Sequence, residues 1–195
     1  MDPINIILAV NLFVSMSANM SGAKKGMKAK LSTVVSKPKT YLQKIPPNVA
    51  AFVLILIIAA VFNLGTFSDE IKAEYLTVRI IGLMVFIVFS WFQVVAFKSL
   101  GENYSQDIVI FKKHELRSNG MYKVIRHPQY ISQLLSDLGA GIALMGYLII
   151  PIVVLVEFPL FILRAKKEDK LLLEHFAEDF VEYKRKSGFF IPFVG

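Results

Sequence analysis

Four apolar stretches, roughly residues 4–18, 48–67, 76–97 and 130–163, occupy so much of this 195-residue chain that a water-facing fold could not hide them. A helix needs about 20 apolar residues to cross ~30 Å of hydrocarbon, so the second and third stretches each suit a single crossing. The first is shorter. It has Asp2 but no basic residue ahead of it and no small-residue cleavage site directly behind, so it reads as a retained helix, not a removable signal. The fourth is too long for one crossing, and Gly146-Tyr147 and Pro151 interrupt it. It reads as a tight hairpin of two helices, roughly 130–145 and 148–163. The expected fold is an all-α integral membrane protein of about five transmembrane helices in a single domain, 1–195. Three spans and a basic connection fill 1–97, and the hairpin and a C-terminal helix fill 98–195.

Charge placement gives this architecture a direction. Seven lysines and no acid lie between Ser21 and Pro46, six basic residues lie in 98–129 and seven follow from Arg164. The 68–75 connection carries Asp69, Glu70 and Glu74 against Lys72 alone, and the hairpin tip near Gly146 carries no charge. Lysine and arginine in short loops favour the cytoplasmic side. The alternation puts the N-terminus outside and both the 98–129 loop and the tail inside. The net charge of +7 is accounted for by this topology and by anionic lipid headgroups. No recognition helix, zinc finger or aromatic-basic sheet pattern points to nucleic acid. No protein partner can be inferred. Cysteine is absent, which excludes disulfides, thiolate metal sites and a cysteine nucleophile in this chain.

Between the spans, Ser99–Lys113 reads as surface loop with some short helix. After Arg164 a helical stripe of Leu172, Phe176, Phe180 and Tyr183 packs one face, ends at Gly188, and leaves Phe189-Phe190-Ile191-Pro192-Phe193 as a lid or interfacial anchor. Gly139-Ala140-Gly141 follows no strand, so it signals close helix packing and not a dinucleotide site.

The polar block 114–130 gathers His114, Tyr122, Arg126, His127 and Tyr130 at a membrane edge. One reading is a lipid-facing loop in which His127 and Pro128 start a helix. The other is a site, because ionisable groups concentrated at a membrane boundary carry function. Two histidines thirteen residues apart, with no cysteine, make a poor metal site, and none is expected. Arg164 and Glu168 share a helix face at i,i+4. They read either as an ion pair contributing about 0.2–0.5 kcal/mol, or as holders of an anion and a cation. Asp137 and Glu157 fall inside the hairpin, where an ionised carboxylate costs ~3 kcal/mol or more, and receive no catalytic role.

Taken in order, His114-x-Leu116, Gly120-x-Tyr122, Arg126-His127-Pro128-x-Tyr130 and Gly139 resemble the signature of the isoprenylcysteine carboxyl methyltransferase family. Membrane phospholipid methyltransferases share parts of it. A second block follows: Arg164, Glu168-Asp169, Leu171-Leu172, Phe176, Phe180, Tyr183 and Ile191-Pro192. Together they cover 98–192. The chain departs from the family pattern at Asp169 (usually Glu), Ala177 (usually Gly), Ser132 (often Gly) and Arg117 (usually Val). The resemblance implies S-adenosylmethionine as cofactor, surrounded by His114, Glu115, Leu116, Arg117, Gly120, Tyr122, Arg126, His127, Pro128, Gln129 and Tyr130. It also implies that Glu168 contacts the cofactor, that Arg164 faces the acceptor, and that these two form the catalytic pair. The implied acceptor is a lipidic or prenylated small molecule methylated on a carboxylate, at a cytoplasmic site. The alternatives are phospholipid-type N-methylation and an NADPH-dependent reductase of the steroid-reductase type.

Overall fold

The computed structural model describes the backbone of residues 2–29 and 34–195, and their side chains apart from 20–29 and 102. Of the lysines in the basic connection, the side chains of Lys24, Lys25 and Lys28 and all of Lys30 lie outside the described residues.

Helix α1 runs Pro3–Ala29, well beyond the apolar 4–18, because nothing from Ser17 to Ala29 is a strong helix breaker except two glycines. Helices α2 (Ile45–Val61) and α4 (Leu76–Leu100) follow, joined through short α3 (Asp69–Glu74). Pro46 and Pro47 start α2, where a missing backbone N–H is harmless. The helices Tyr41–Val61 and Leu76–Leu100 are long and apolar enough to cross a membrane, and Pro3–Asn19 is a shorter apolar helix. Outward-facing Phe13, Ile55 and Leu155 are among the most exposed side chains, an apolar exterior suited to lipid.

The centre of the bundle is the crossing of α4 with α5 (Pro128–Leu144). Its closeness comes from glycine. A methyl on Gly139 would sit 2.5 Å from the Phe86 nitrogen, and one on Gly82 would sit 2.7 Å from the Ala143 nitrogen. Polar side chains also tie the helices together. Asn11 donates to Ser90 Oγ at 2.9 Å, and Arg79 Nε donates to the Ala143 carbonyl at 2.9 Å. The chain reverses at Met145, which takes a left-handed conformation, and Gly146. It continues as one rod through α6 (Ile149–Ile152), a π-helical turn at Val153–Glu157, and α7 (Phe158–Phe176).

Three features differ from the sequence expectation. The helical fold includes one small strand pair: β1 (Val34–Ser36) pairs antiparallel with β2 (Ile110–Phe111), Val34 opposite Phe111. The segment 108–111 is accordingly buried and not surface loop, with Ile108 2% and Ile110 1% exposed. The β-branched runs Val34-Val35 and Ile108-Val109-Ile110 explain both. The stripe from Leu172 to Tyr183 is not one helix, because Ala177 (φ 47°) breaks it between α7 and α8 (Glu178–Lys186). The tail is held as well. Gly188 donates to the Val124 carbonyl at 2.9 Å and accepts from Arg126 N at 2.8 Å, while Phe190 enters the core. Only glycine fits at 188, since a methyl there would meet the Ile191 carbonyl oxygen at 1.8 Å.

Candidate functional site

The block 114–130 folds into a lining by local rules. The Asn103 side chain accepts from Glu115 N at 3.3 Å and donates to the Glu115 carbonyl at 3.0 Å, holding 114–117 as a strand partner would. Gly120 takes φ +57°, which starts the turn that buries Tyr122. The Tyr122 hydroxyl donates to Gln129 Oε1 at 3.0 Å, and Tyr183 donates to the Tyr122 carbonyl at 2.7 Å. Burial raises the Tyr122 hydroxyl well above the ordinary tyrosine range, so it stays a proton donor. Pro128 then opens α5 in its first turn.

The end of α7 brings the acids to this block. His127 lies between them, Nε2 2.8 Å from Asp169 Oδ1 and Nδ1 3.6 Å from Glu168 Oε2. Tyr130 donates its hydroxyl to Glu168, and Arg164 Nε lies 2.7 Å from that hydroxyl oxygen and 3.3 Å from Glu168 Oε1. Arg126 Nε reaches Asp169 Oδ2 at 3.2 Å. Burial pushes the Asp169 carboxyl up, but the His127 hydrogen bond and the charges of His127 and Arg126 outweigh it and hold it below the usual range. Glu168 and Asp169 are therefore half-buried carboxylates with partners from the 126–130 stretch and from α7 itself.

Arg126, His127, Glu168 and Asp169 border a cavity with about 770 Å³ of space between its lining side chains, part of it open to solvent. Of the residues expected at the cofactor, His114, Glu115, Leu116, Arg117, Tyr122, Arg126, His127, Gln129 and Glu168 line it. Gly120, Pro128 and Tyr130 do not, and neither does Arg164, the residue expected at the acceptor. Gly120 and Pro128 shape the backbone, and Tyr130 holds Glu168 from behind. Arg164 does not present an open fork: Nη1 donates to the Leu42 carbonyl at 2.8 Å and Nη2 to the Gln106 carbonyl at 2.6 Å. Arg126 is similarly committed, donating also to the carbonyls of Lys184, Ser187 and Gly195.

Asn103, Asp107 and the wall formed by Ile108–Ile110 also line the cavity, and no motif in the sequence points to them. The β-branched run is the only signal for that wall, and Asn103 follows no motif spacing.

Two lining atoms show what the cavity is built to take. His114 Nδ1 and Arg117 Nε are buried and have no hydrogen-bond partner, although Arg117 Nη2 lies 3.6 Å from Glu115. Burial, with the nearby His175, lowers His114 to about 4, so its ring is neutral at ordinary pH. A guanidinium and an imidazole awaiting partners, with the carboxylates of Glu168 and Asp169 in the same wall, suit a ligand that carries an anionic and a cationic group. The donor set includes no group of three or more His, Cys, Asp or Glu able to hold a metal among the described residues.

Comparison with known proteins points the same way. Residues 80–174 match the sequence model described as the isoprenylcysteine carboxyl methyltransferase family. A protein-S-isoprenylcysteine O-methyltransferase of Saccharomyces cerevisiae is 29% identical over 134 residues, which is 68% of this chain and 55% of the yeast protein. One from Tribolium castaneum is 30% identical over 116 residues, 58% of this chain and 41% of the beetle protein. The chain thus spans about half the length of these relatives. A solved structure of a eukaryotic intramembrane Ras methyltransferase of the same family superposes with a TM-score of 0.64 at 21% identity, covering all of this chain and 69% of that one. The fold is that of this membrane methyltransferase.

Proposed function

We propose that this chain, which belongs through residues 80–174 to the isoprenylcysteine carboxyl methyltransferase family, transfers a methyl group from S-adenosylmethionine to the carboxylate of an S-prenylated cysteine. The observation that carries this reading is the cavity wall itself. The unpartnered nitrogens His114 Nδ1 and Arg117 Nε share it with the compensated carboxylates Glu168 and Asp169.

When bound, the cofactor supplies an electrophilic methyl group on a cationic sulfonium. Arg117 and His114 are the donors for its carboxylate. Glu168, with the aromatic faces of Tyr122 and Phe180, serves its cationic part. Tyr130 and Arg164 fix Glu168 from behind, and His127 with Arg126 fixes Asp169, so the wall is set before ligand arrives. An acceptor carboxylate is already ionised near neutral pH, so the residues must orient it and keep the site dry, and no general base is required.

Arg164 is the acceptor-side residue of this proposal. Its two terminal nitrogens bond one carbonyl from 41–43 and one from 104–107. An acceptor carboxylate entering along that seam would exchange for both carbonyls on a planar guanidinium that matches it. Five spans, an outside N-terminus and a cytoplasmic 98–129 loop and tail complete the reading. The lysine distribution over alternate connections supports them. A prenylated cysteine, free or at the end of a protein, can present its tail to lipid and its carboxylate to this seam.

The test is purified protein in detergent with methyl-labelled S-adenosylmethionine and an S-farnesylated N-acylcysteine. The expected product releases its label under mild base, as a methyl ester does. Label appearing only on phosphatidylethanolamine, stable to base, would move the assignment to lipid N-methylation, and tight NADPH binding without methyl transfer would move it to reduction.

A further inference from the structure

Asp137 and Glu157 take no part in the site above, yet they meet inside the helix bundle, Asp137 half-buried and Glu157 buried. Asp137 lies on α5, and Glu157 closes the π-helical turn, a distortion often found at functional positions. The two carboxyls face each other within hydrogen-bonding reach. Glu157 is 0% exposed, and its Oε2, like Asp137 Oδ2, is shielded from solvent with no hydrogen-bond partner. The facing polar groups are two glutamines. Gln133 on α5 bonds Asp137 and reaches Glu157 Oε1 at 3.5 Å, and Gln93 on α4 donates to Gln133 Oε1 at 3.1 Å. From α2 the buried residues near this turn are apolar. From α7 the buried cation is Arg164, already engaged with Tyr130, Glu168 and two backbone carbonyls. Among the described residues, no lysine, arginine or histidine forms an ion pair with either acid.

Two carboxylates at this separation in an apolar interior cannot both stay ionised without a positive charge between them. We propose that Asp137, Glu157 and Gln133 form a monovalent-cation site inside the bundle, holding a proton or an alkali ion between the two carboxyls. The glutamine pair suits either occupant. As placed, Gln133 gives its amide N–H to the acids. Inverting both amides keeps the Gln93–Gln133 hydrogen bond and turns Gln133 Oε1 inward, which offers an alkali ion a third oxygen. The half-buried Gln93, Gln133 and Asp137 form the approach to fully buried Glu157.

Dicyclohexylcarbodiimide, which couples to protonated carboxyls in apolar surroundings, tests this on the wild-type protein in detergent. Adducts are located by peptide mass spectrometry between about pH 5 and about pH 9. The expected result is an adduct on Asp137 or Glu157 that forms faster as pH falls. If an alkali ion is the occupant, sodium chloride slows the reaction relative to choline chloride, by about fivefold for a site four-fifths filled. If a proton is the occupant, the rate follows pH and ignores sodium. Absence of an adduct from folded protein, or a rate indifferent to both pH and sodium, would overturn the proposal. Asp137→Asn should remove any sodium dependence from Glu157 and move its pH dependence to lower pH, while leaving S-adenosylmethionine affinity unchanged. Should that variant not fold, the wild-type labelling decides alone.

Discussion

Glu168-Asp169 and Asp137-Glu157 are both pairs of carboxyls largely shielded from solvent, and they are built in opposite ways. The first is compensated on every side: Arg126 and His127 reach Asp169, while Tyr130, Arg164 and His127 reach Glu168. The second has only glutamine beside it and two oxygens without a donor. A carboxylate whose cations are built in becomes a fixed part of the wall, and its removal strands the cations. A carboxylate without them depends on a mobile charge. The first pair organises the site, tying the loop, α7 and the C-terminal tail together, whereas the second leaves a requirement that the rest of the chain does not meet.

The largest effect should come from stripping the compensated pair. Arg126→Ala leaves Asp169 short of its cation and the carbonyls of Lys184, Ser187 and Gly195 without their donor. It should destabilise the protein by about 3–5 kcal/mol, read as a lower unfolding temperature in detergent. Asp137→Asn should cost less than about 1 kcal/mol in the same assay, because it removes an uncompensated charge and not a partner. Equal losses in the two variants would erase the contrast.

Acid should expose the site before the bundle. His114 is held at about 4 in the folded chain against 6.5 unfolded. As pH falls from 6.5 towards 4 the unfolded chain takes up a proton that the folded chain refuses, so stability drops across that window and levels off below it. The loss is at most about 3 kcal/mol, and less where solvent screens the ring. Asp169 acts in the same sense at lower pH: its folded value is lowered, so its contribution is present above the ordinary carboxylate range and is lost as pH falls through the folded value. His114→Gln should flatten the slope between pH 6.5 and 4, as followed by urea unfolding at a series of pH values.

Glu168→Gln keeps an acceptor for Tyr130 and removes the charge. It should weaken S-adenosylmethionine binding by about 10–100-fold (~1.4–2.7 kcal/mol) with little loss of fold, as measured by calorimetry. Glu157→Gln should leave that affinity unchanged. An effect of opposite sign concerns the hinge between α7 and α8, where the Ala177 N–H closes α7 on the Leu173 carbonyl. Ala177 sits at φ 47°, ψ −115°, a region that glycine occupies freely and alanine does not. Ala177→Gly should stabilise by about 1 kcal/mol in thermal unfolding.

Much of this was legible in the residues. Apolar stretches and proline placement located the helices, and the ordered motifs brought 114–130 and 164–169 to one site. The glycines at 139 and 141 marked close packing, and Gly139 does meet the α4 backbone. What stayed hidden depended on contacts remote in sequence. Val34 pairs with Phe111, and Gln43 bonds Ile108, across separations that carry no periodic signal. The assignment of Arg126 to the cofactor followed from motif order, whereas its backbone partners at 184, 187 and 195 are set by the fold of the tail. The break at Ala177 left one trace, a family glycine position filled by alanine.

Carboxylate methylation at this wall is tested most directly by methyl transfer from labelled S-adenosylmethionine to an S-farnesylated N-acylcysteine, with wild type, Glu168→Gln and Arg164→Ala side by side. Wild type should give a base-labile product, Glu168→Gln a raised cofactor KM, and Arg164→Ala a loss that falls mainly on the acceptor. Wild-type protein that binds the cofactor yet yields no base-labile product, or two variants that match wild type in both KM values, would refute it.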